Sequence, residues 1–486
     1  MSNNCKVLIV LLSFISGSAF SQDIKETTIG KLGMKLVAAL NSNNRDTQLN
    51  FINSYLDSRA LENGADEWVK KFGELYNLTG GVEIIAMQTG RAPDEVRMNV
   101  KSLRGNLMID LATRISPESP DKLIGFIFRP LQGSSTLPWP QNSLSEPSIV
   151  AEIEKHIQAD VDSDQFSGAV LIAKGDRILL SKAYGLADKE KKIPNQTDTK
   201  FNLGSMNKMF TSVAIAQLVQ AGKLSYQDTL ANVLPSYPNK AAAKKITIHH
   251  LLTHTSGLGN FFKPEFFEHR EKYVNLISYL PIFANDPLLF EPGKDWAYSN
   301  AGFIVLGVVV EKISGEDYFD YMRHHIFKPA QMIRTDSYER DAVVPNLALG
   351  YTYDDNDPQH KMPRHDNKAT LPVKGSSAGG GYSTTGDILL FSKALLGHIL
   401  LNEELTNTIT SGKVDDRHLN SKYAYGFSDQ ISSGKHMVGH NGGGPGINGS
   451  LKILKDNGYV VIVLGNYSPP AADSLASEIS EFLIRQ

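Results

Sequence analysis

Residues 131–147, LQGSSTLPWPQNSLSEP, interrupt any regular structure that could run through this chain. Pro138, Pro140 and Pro147 lack an amide hydrogen, and the glycine and serines around them favour turns over helix or ladder. The chain therefore reads as two units, residues 23–130 and 148–486, joined by this linker. A length of 486 residues also exceeds what one ordinary core organises. Upstream, residues 29–40 and 47–59 carry apolar side chains at helical spacing, and residues 66–76 suit a third helix. Strand-like runs follow at 82–87, 96–100, 107–113 and 123–128, so the first unit is expected to be a small α+β domain. In the second unit residues 149–160 read as a helix, and 168–173 and 178–184 as strands joined by the turn Lys174-Gly175-Asp176-Arg177. After a long helical middle come strands at 436–440, 450–455 and 459–464 and a helix at 471–484. Strands at both ends of a helical middle require a sheet assembled from the two ends of the unit.

The first 22 residues follow another rule. Lys6 precedes an apolar run at 7–15, and Gly17-Ser18-Ala19-Phe20-Ser21 supplies small residues for cleavage, the pattern of a signal peptide. That run is too short to span a bilayer, and no later stretch stays apolar for ~18 residues, so the expected product is exported, to a periplasm or beyond, without a stable membrane span. Cys5, the only cysteine, leaves with the signal, which removes disulfides, cysteine nucleophiles and thiolate metal sites from consideration. The net charge of -3 contains no block of one sign, so no nucleic-acid or anionic-membrane partner is expected.

Gly204-Ser205-Met206-Asn207-Lys208-Met209-Phe210 lies where a loop enters an apolar helix. A serine there has an unpaired amide and feels the positive end of the helix dipole. Lys208, three residues on, shares its face and can act as a base once burial lowers its pKa. Ser119/Lys122 and Ser432/Lys435 repeat the spacing, but neither opens an apolar helix. Tyr298-Ser299-Asn300 precedes a second apolar helix. A tyrosine near a lysine's charge can have its pKa lowered and relay a proton; a packed tyrosine with a helix-capping asparagine is the alternative. His440-Asn441-Gly442-Gly443-Gly444 ends a predicted strand. Its glycines would let a substrate backbone approach and leave an N–H free for an oxyanion hole, or they form a hairpin turn.

In this order the three elements, spread over residues 165–486, resemble the serine β-lactamase and penicillin-binding-protein superfamily. The closer similarity is to its class C-like branch of esterases, D-amino-acid-specific peptidases and D-alanyl-D-alanine carboxypeptidases. Ile248-His249-His250-Leu251-Leu252-Thr253-His254-Thr255-Ser256-Gly257-Leu258 and Gly379-Gly380-Gly381-Tyr382-Ser383-Thr384-Thr385-Gly386-Asp387 add to the resemblance. It implies an α+β, β-lactamase/transpeptidase-like fold, with an antiparallel sheet flanked by helices and an all-helical region. It also implies that Ser205 forms an acyl-enzyme and that Lys208 and Tyr298 share the acid and base work. Asn300 would orient substrate and Lys208, His440 and Gly442 would belong to the substrate-binding strand, and the N–H groups of Ser205 and Gly443 would hold the oxyanion. The family's lactamases begin that strand motif with lysine, which supports binding of the substrate carboxylate. A neutral imidazole binds a carboxylate less well, so a small ester, amide or peptide is the expected substrate, with β-lactamase or carboxypeptidase activity as the alternative. A non-catalytic binding or sensor module would show loss of the serine, lysine or tyrosine, and all three are present.

The remaining candidates carry less. His249, His250 and His254 lack an acidic companion pattern, so no metal is expected, and no cofactor either. Phe261, Phe262, Phe266 and Phe267 suit a pocket wall or the core. Asp387 suits charge complementation at a helix start. In the first unit Leu40-Asn41-Ser42-Asn43, Phe51 and Gly80-Gly81-Val82-Glu83 are similar to accessory domains of the nuclear transport factor 2 type, which makes a homo-oligomer through this unit one expectation.

Overall fold

The computed structural model describes residues 24–61, 64–89, 95–104, 108–116, 118–130, 137, 139–140, 142–354, 362–416, 421–432 and 434–486. The expected signal peptide, with Lys6 and Cys5, and much of the expected linker lie outside the described residues. The chain divides into two compact units, Met1–Pro130 and Leu131–Gln486.

In the first unit three helices, Thr28–Asn41, Arg45–Tyr55 and Ala65–Thr79, precede a four-stranded antiparallel meander. Its strands are Val82–Thr89, Glu95–Ser102, Met108–Ser116 and Ser119–Pro130. Thr27 and Asn44 start the first two helices by accepting the amides of Gly30 and Thr47. The second helix stops at Tyr55 and not at residue 59, because Leu56 and Asp57 leave it to bridge Leu123, whose carbonyl accepts the Asp57 amide at 3.0 Å. Leu36, Phe51, Ile52 and Phe72 pack against the inward residues of the sheet, among them Val96, Met98, Val100, Ile109 and Leu111. Val96, Met98 and Val100 show the period of two that aims one strand face at a core.

In the second unit an eight-stranded antiparallel sheet runs, in spatial order, Val414–Asp415, Ser421–Tyr423, Ser428–Ser432, Lys435–Gly444, Ile447–Leu454, Tyr459–Gly465, Gly168–Lys174 and Arg177–Tyr184. The two ends of the unit meet where Gly168–Lys174 pairs with Tyr459–Gly465. Both faces of the sheet are covered, which is why its central strands read as unbroken apolar runs. Ala169, Leu171 and Ala173 join the core beneath the helical middle, while Val170 and Ile172 join the opposite core. That second core holds the helices Glu146–Asp162 and Ala471–Ile484. Glu146 and Pro147, expected in the linker, form the first turn of the former, where a proline's missing amide costs nothing. The helices Asn207–Gln220 and Asn300–Ser314 are apolar around most of their circumference, as buried helices are.

Candidate active site

Ser205 sits in a single 3-10 turn, Gly204–Met206, that runs into the helix Asn207–Gln220. Two backbone segments close on this turn. Gly204 has φ +50, and a Cβ there would lie 2.9 Å from the Gly443 nitrogen. A Cβ on Gly442 would lie 1.9 Å from the Leu203 carbonyl oxygen, and one on Gly379 2.9 Å from that of Gly204. Glycine is thus required where strand and loop meet the serine. Asn207 ties the turn to the same loop, accepting from the Gly381 amide at 3.2 Å and donating to the Ser376 carbonyl at 3.5 Å.

Lys208 is 0% exposed, and burial holds its pKa well below the ordinary amine value. Its Nζ lies 2.7 Å from Asn300 Oδ1, 2.5 Å from the Ala378 carbonyl and 3.2 Å from Ser205 Oγ. A neutral amine has two hydrogens and one lone pair. The amide oxygen and the carbonyl, acceptors only, take the hydrogens and leave the lone pair for the serine hydroxyl. The other two Ser-x-x-Lys pairs fall in sheet: Ser119 and Lys122 on one strand, where residues three apart face opposite sides, and Ser432 and Lys435 across a hairpin.

Asn300 begins the helix Asn300–Ser314, but its cap is Ser299, whose Oγ accepts the Gly302 amide at 2.9 Å. The asparagine side chain is left for Lys208. Tyr298 is 36% exposed with its hydroxyl end enclosed and hydrogen-bonded to Ser205. Burial raises its pKa, and the bond to Ser205 only partly offsets this. The expected lowering by a lysine charge does not occur, because the same burial drives Lys208 toward its neutral form.

His440 is turned inward. Its Nδ1 donates to the Asn441 carbonyl at 2.5 Å, and its Nε2 accepts from the buried Tyr423 hydroxyl at 2.9 Å. Burial lowers its pKa to about 3. The ring is neutral, with both nitrogens engaged inside the protein. The glycines after it form no hairpin turn; the strand Lys435–Gly444 runs through them and turns at Pro445 and Gly446. Gly442 is buried and Gly443 exposed, and the Gly443 nitrogen would stand 2.9 Å from a Cβ on Gly204, beside the serine turn.

His254, with a left-handed φ of +61, accepts the Ser299 amide on Nδ1 at 3.0 Å and packs its ring, tilted by 38°, with its centroid 4.3 Å from that of Tyr298. His250 completes a capping box with Thr247, and His249 Nδ1 meets the Tyr425 hydroxyl at 2.8 Å. Phe261 and Phe266 are core, whereas Phe262 and Phe267 are 51% and 48% exposed. Asp387 lies in the first turn of the helix Thr385–Leu396, and its carboxylate also accepts the Arg334 amide and the Thr335 hydroxyl. The sequence reading passed over Asn207, Ala378, Tyr423 and Asn448. The small-residue run Ser376-Ser377-Ala378-Gly379-Gly380-Gly381 was a signal of close backbone approach; Tyr423 carried none.

The family model described as Beta-lactamase matches residues 153–484. The chain is 31% identical over 327 residues to penicillin-binding protein 4* of Bacillus subtilis (strain 168), covering 64% of this chain and 71% of that one. A penicillin binding protein from Bacillus halodurans is 32% identical, with TM-score 0.60 over 70% of this chain and 99% of its own. EstCE1, a hydrolase with promiscuous acyltransferase activity, shares the fold at 21% identity and TM-score 0.60, over 71% of this chain and 100% of its own. The chain belongs to the beta-lactamase family of serine hydrolases. Among the described residues, no helix is long and apolar enough to cross a membrane.

Proposed function

We propose that this protein is an exported serine hydrolase that forms an acyl-enzyme on Ser205 and hydrolyses an ester or a small amide or peptide. The observation that carries the reading is the buried Lys208 amine, its hydrogens committed to Asn300 and Ala378 and its lone pair turned to Ser205. Lys208 takes the hydroxyl proton as Ser205 Oγ bonds to the substrate's carbonyl carbon. The displaced electron pair settles on the carbonyl oxygen, held by the N–H groups of Ser205 and Gly443, where a single donor is worth about 3–4 kcal/mol. When the bond to the leaving group breaks, Tyr298 gives that group a proton and recovers one from Lys208. Water then attacks the acyl-enzyme by the same relay, regenerating Ser205 and releasing the acid.

An uncharged ester or amide suits the site better than a lactam or peptide whose carboxylate needs a cation, since His440 is neutral and has no spare donor. Phe262 and Phe267 offer an apolar surface on the segment that follows Asn260, whose side chain meets that of Asn300. Export rests on the pattern of residues 1–22. The test is a parallel assay of short-chain p-nitrophenyl esters, D-amino-acid amides and a chromogenic cephalosporin, with fluorophosphonate labelling. Ester turnover and labelling that both vanish in Ser205→Ala are expected. Labelling that persisted in that variant would refute the acyl-enzyme, and rapid cephalosporin hydrolysis would refute the substrate choice.

A further inference from the structure

We infer that Asn448 is a positioning residue whose side-chain amide holds the Gly442–Gly443 peptide so that the Gly443 N–H faces the Ser205 turn; this rests on the acyl-enzyme reading above. Asn448 is 2% exposed and lies directly across the ladder from Gly443. Its Oδ1 accepts the amides of Ala472 and Asp473 at 2.6 and 3.1 Å, in the first turn of the helix Ala471–Ile484. With the oxygen so occupied, the nitrogen must face the other way, and Nδ2 donates to the Gly442 carbonyl at 2.9 Å. In a planar trans peptide the C=O and the following N–H point to opposite sides. Pinning the Gly442 oxygen on the Asn448 side therefore sets the Gly443 N–H on the other, where the Gly443 nitrogen would stand 2.9 Å from a Cβ on Gly204.

This peptide needs an outside support. On one side the ladder ends where Ser428 pairs Gly439, so Gly442 and Gly443 are paired only with the strand Ile447–Leu454. Glycine is also the residue with most backbone freedom. Yet a Cβ on Gly442 would strike the Leu203 carbonyl, and one on Gly443 would stand 2.7 Å from Pro469 Cγ. The segment cannot be stiffened by its own side chains, and Asn448 does so from the neighbouring strand.

The experiment separates this role from helix capping. Asn448→Asp keeps an oxygen facing the Ala472 and Asp473 amides, where the helix dipole favours an anion, but cannot donate to Gly442. At pH 8 with a p-nitrophenyl ester, we expect kcat/KM to fall about 10- to 100-fold through kcat, with KM within about twofold, the mark of a contact made in the transition state. The inhibition constant of a boronic acid that forms a tetrahedral adduct on Ser205 should rise in the same proportion, while the melting temperature is kept. Full kcat in Asn448→Asp, or an unchanged boronic-acid constant, would overturn the inference. Should that variant not fold, Asn448→Ser, a good helix cap too short to reach Gly442 as well, is read in the same way. Fluorophosphonate labelling of the unaltered enzyme tells the two readings apart. An unlabelled Ser205 refutes the acyl-enzyme, whereas a labelled Ser205 beside a fully active Asn448→Asp refutes only the role given to Asn448.

Discussion

In the first unit, buried Thr79 and Thr113 return their hydroxyls to the backbone carbonyls of Leu75 and Gly125, and the core between helices and sheet is otherwise carried by residues such as Phe51, Phe72, Met98 and Leu111. In the second, Lys208, Asn207, Asn300, His440, Tyr423 and Asn448 are joined to one another or to distant backbone around one serine. Burying a polar group costs free energy unless every bond is replaced. In the first unit these two hydroxyls meet that cost with bonds to backbone carbonyls. The second concentrates it where shifted pKa values are useful, the arrangement expected of a reactive site.

The sharpest break in this contrast is Lys208→Met. Turnover should fall at least about 10³-fold, since base catalysis is lost, with the protein still folded by circular dichroism. Lys208→Arg should not restore it, because a guanidinium stays charged. Tyr298→Phe should lower kcat about 10²-fold with little change in melting temperature, as the ring packed against His254 remains; equal losses in kcat and stability would make Tyr298 structural.

A third prediction concerns pH. The folded pKa of His440 is about 3, against an ordinary 6.5. Below 6.5 the unfolded chain takes up a proton that the folded chain refuses, so the contribution of His440 to stability is whole above that value and is lost as pH falls toward 3. The slope is about 1.4 kcal/mol per pH unit, and urea titrations of His440→Gln between those limits should show it reduced. The smallest effect is expected from removing residues 23–130. Each unit has its own core, so kcat/KM of the remainder should stay within about twofold, the scale of changes remote from a site, while sedimentation reports whether assembly depended on the deleted part.

Much of this was legible in the chain because it depends on local spacing. The sheet built from both ends followed from apolar runs at 168–173 and 459–464, whose pairing is now seen residue by residue. The turn carrying Ser205 followed from a glycine and a serine before an apolar helix. The end of the second helix at Tyr55 did not, because its cause is a bridge to Leu123, distant in sequence.

For the proposed site, the sequence by itself singled out candidates: Ser205, Lys208 and Tyr298 from their neighbours, and Asn300 through the family resemblance. Only the tertiary structure decided their protonation and direction. Tyr298 was expected to be acidified by a lysine charge and is made less acidic by burial. His440, expected on the substrate-binding strand, turns its ring nitrogen to the Tyr423 hydroxyl. Both outcomes depend on desolvation and on partners drawn from remote segments, and neither quantity is encoded in the spacing of residues along a strand or helix.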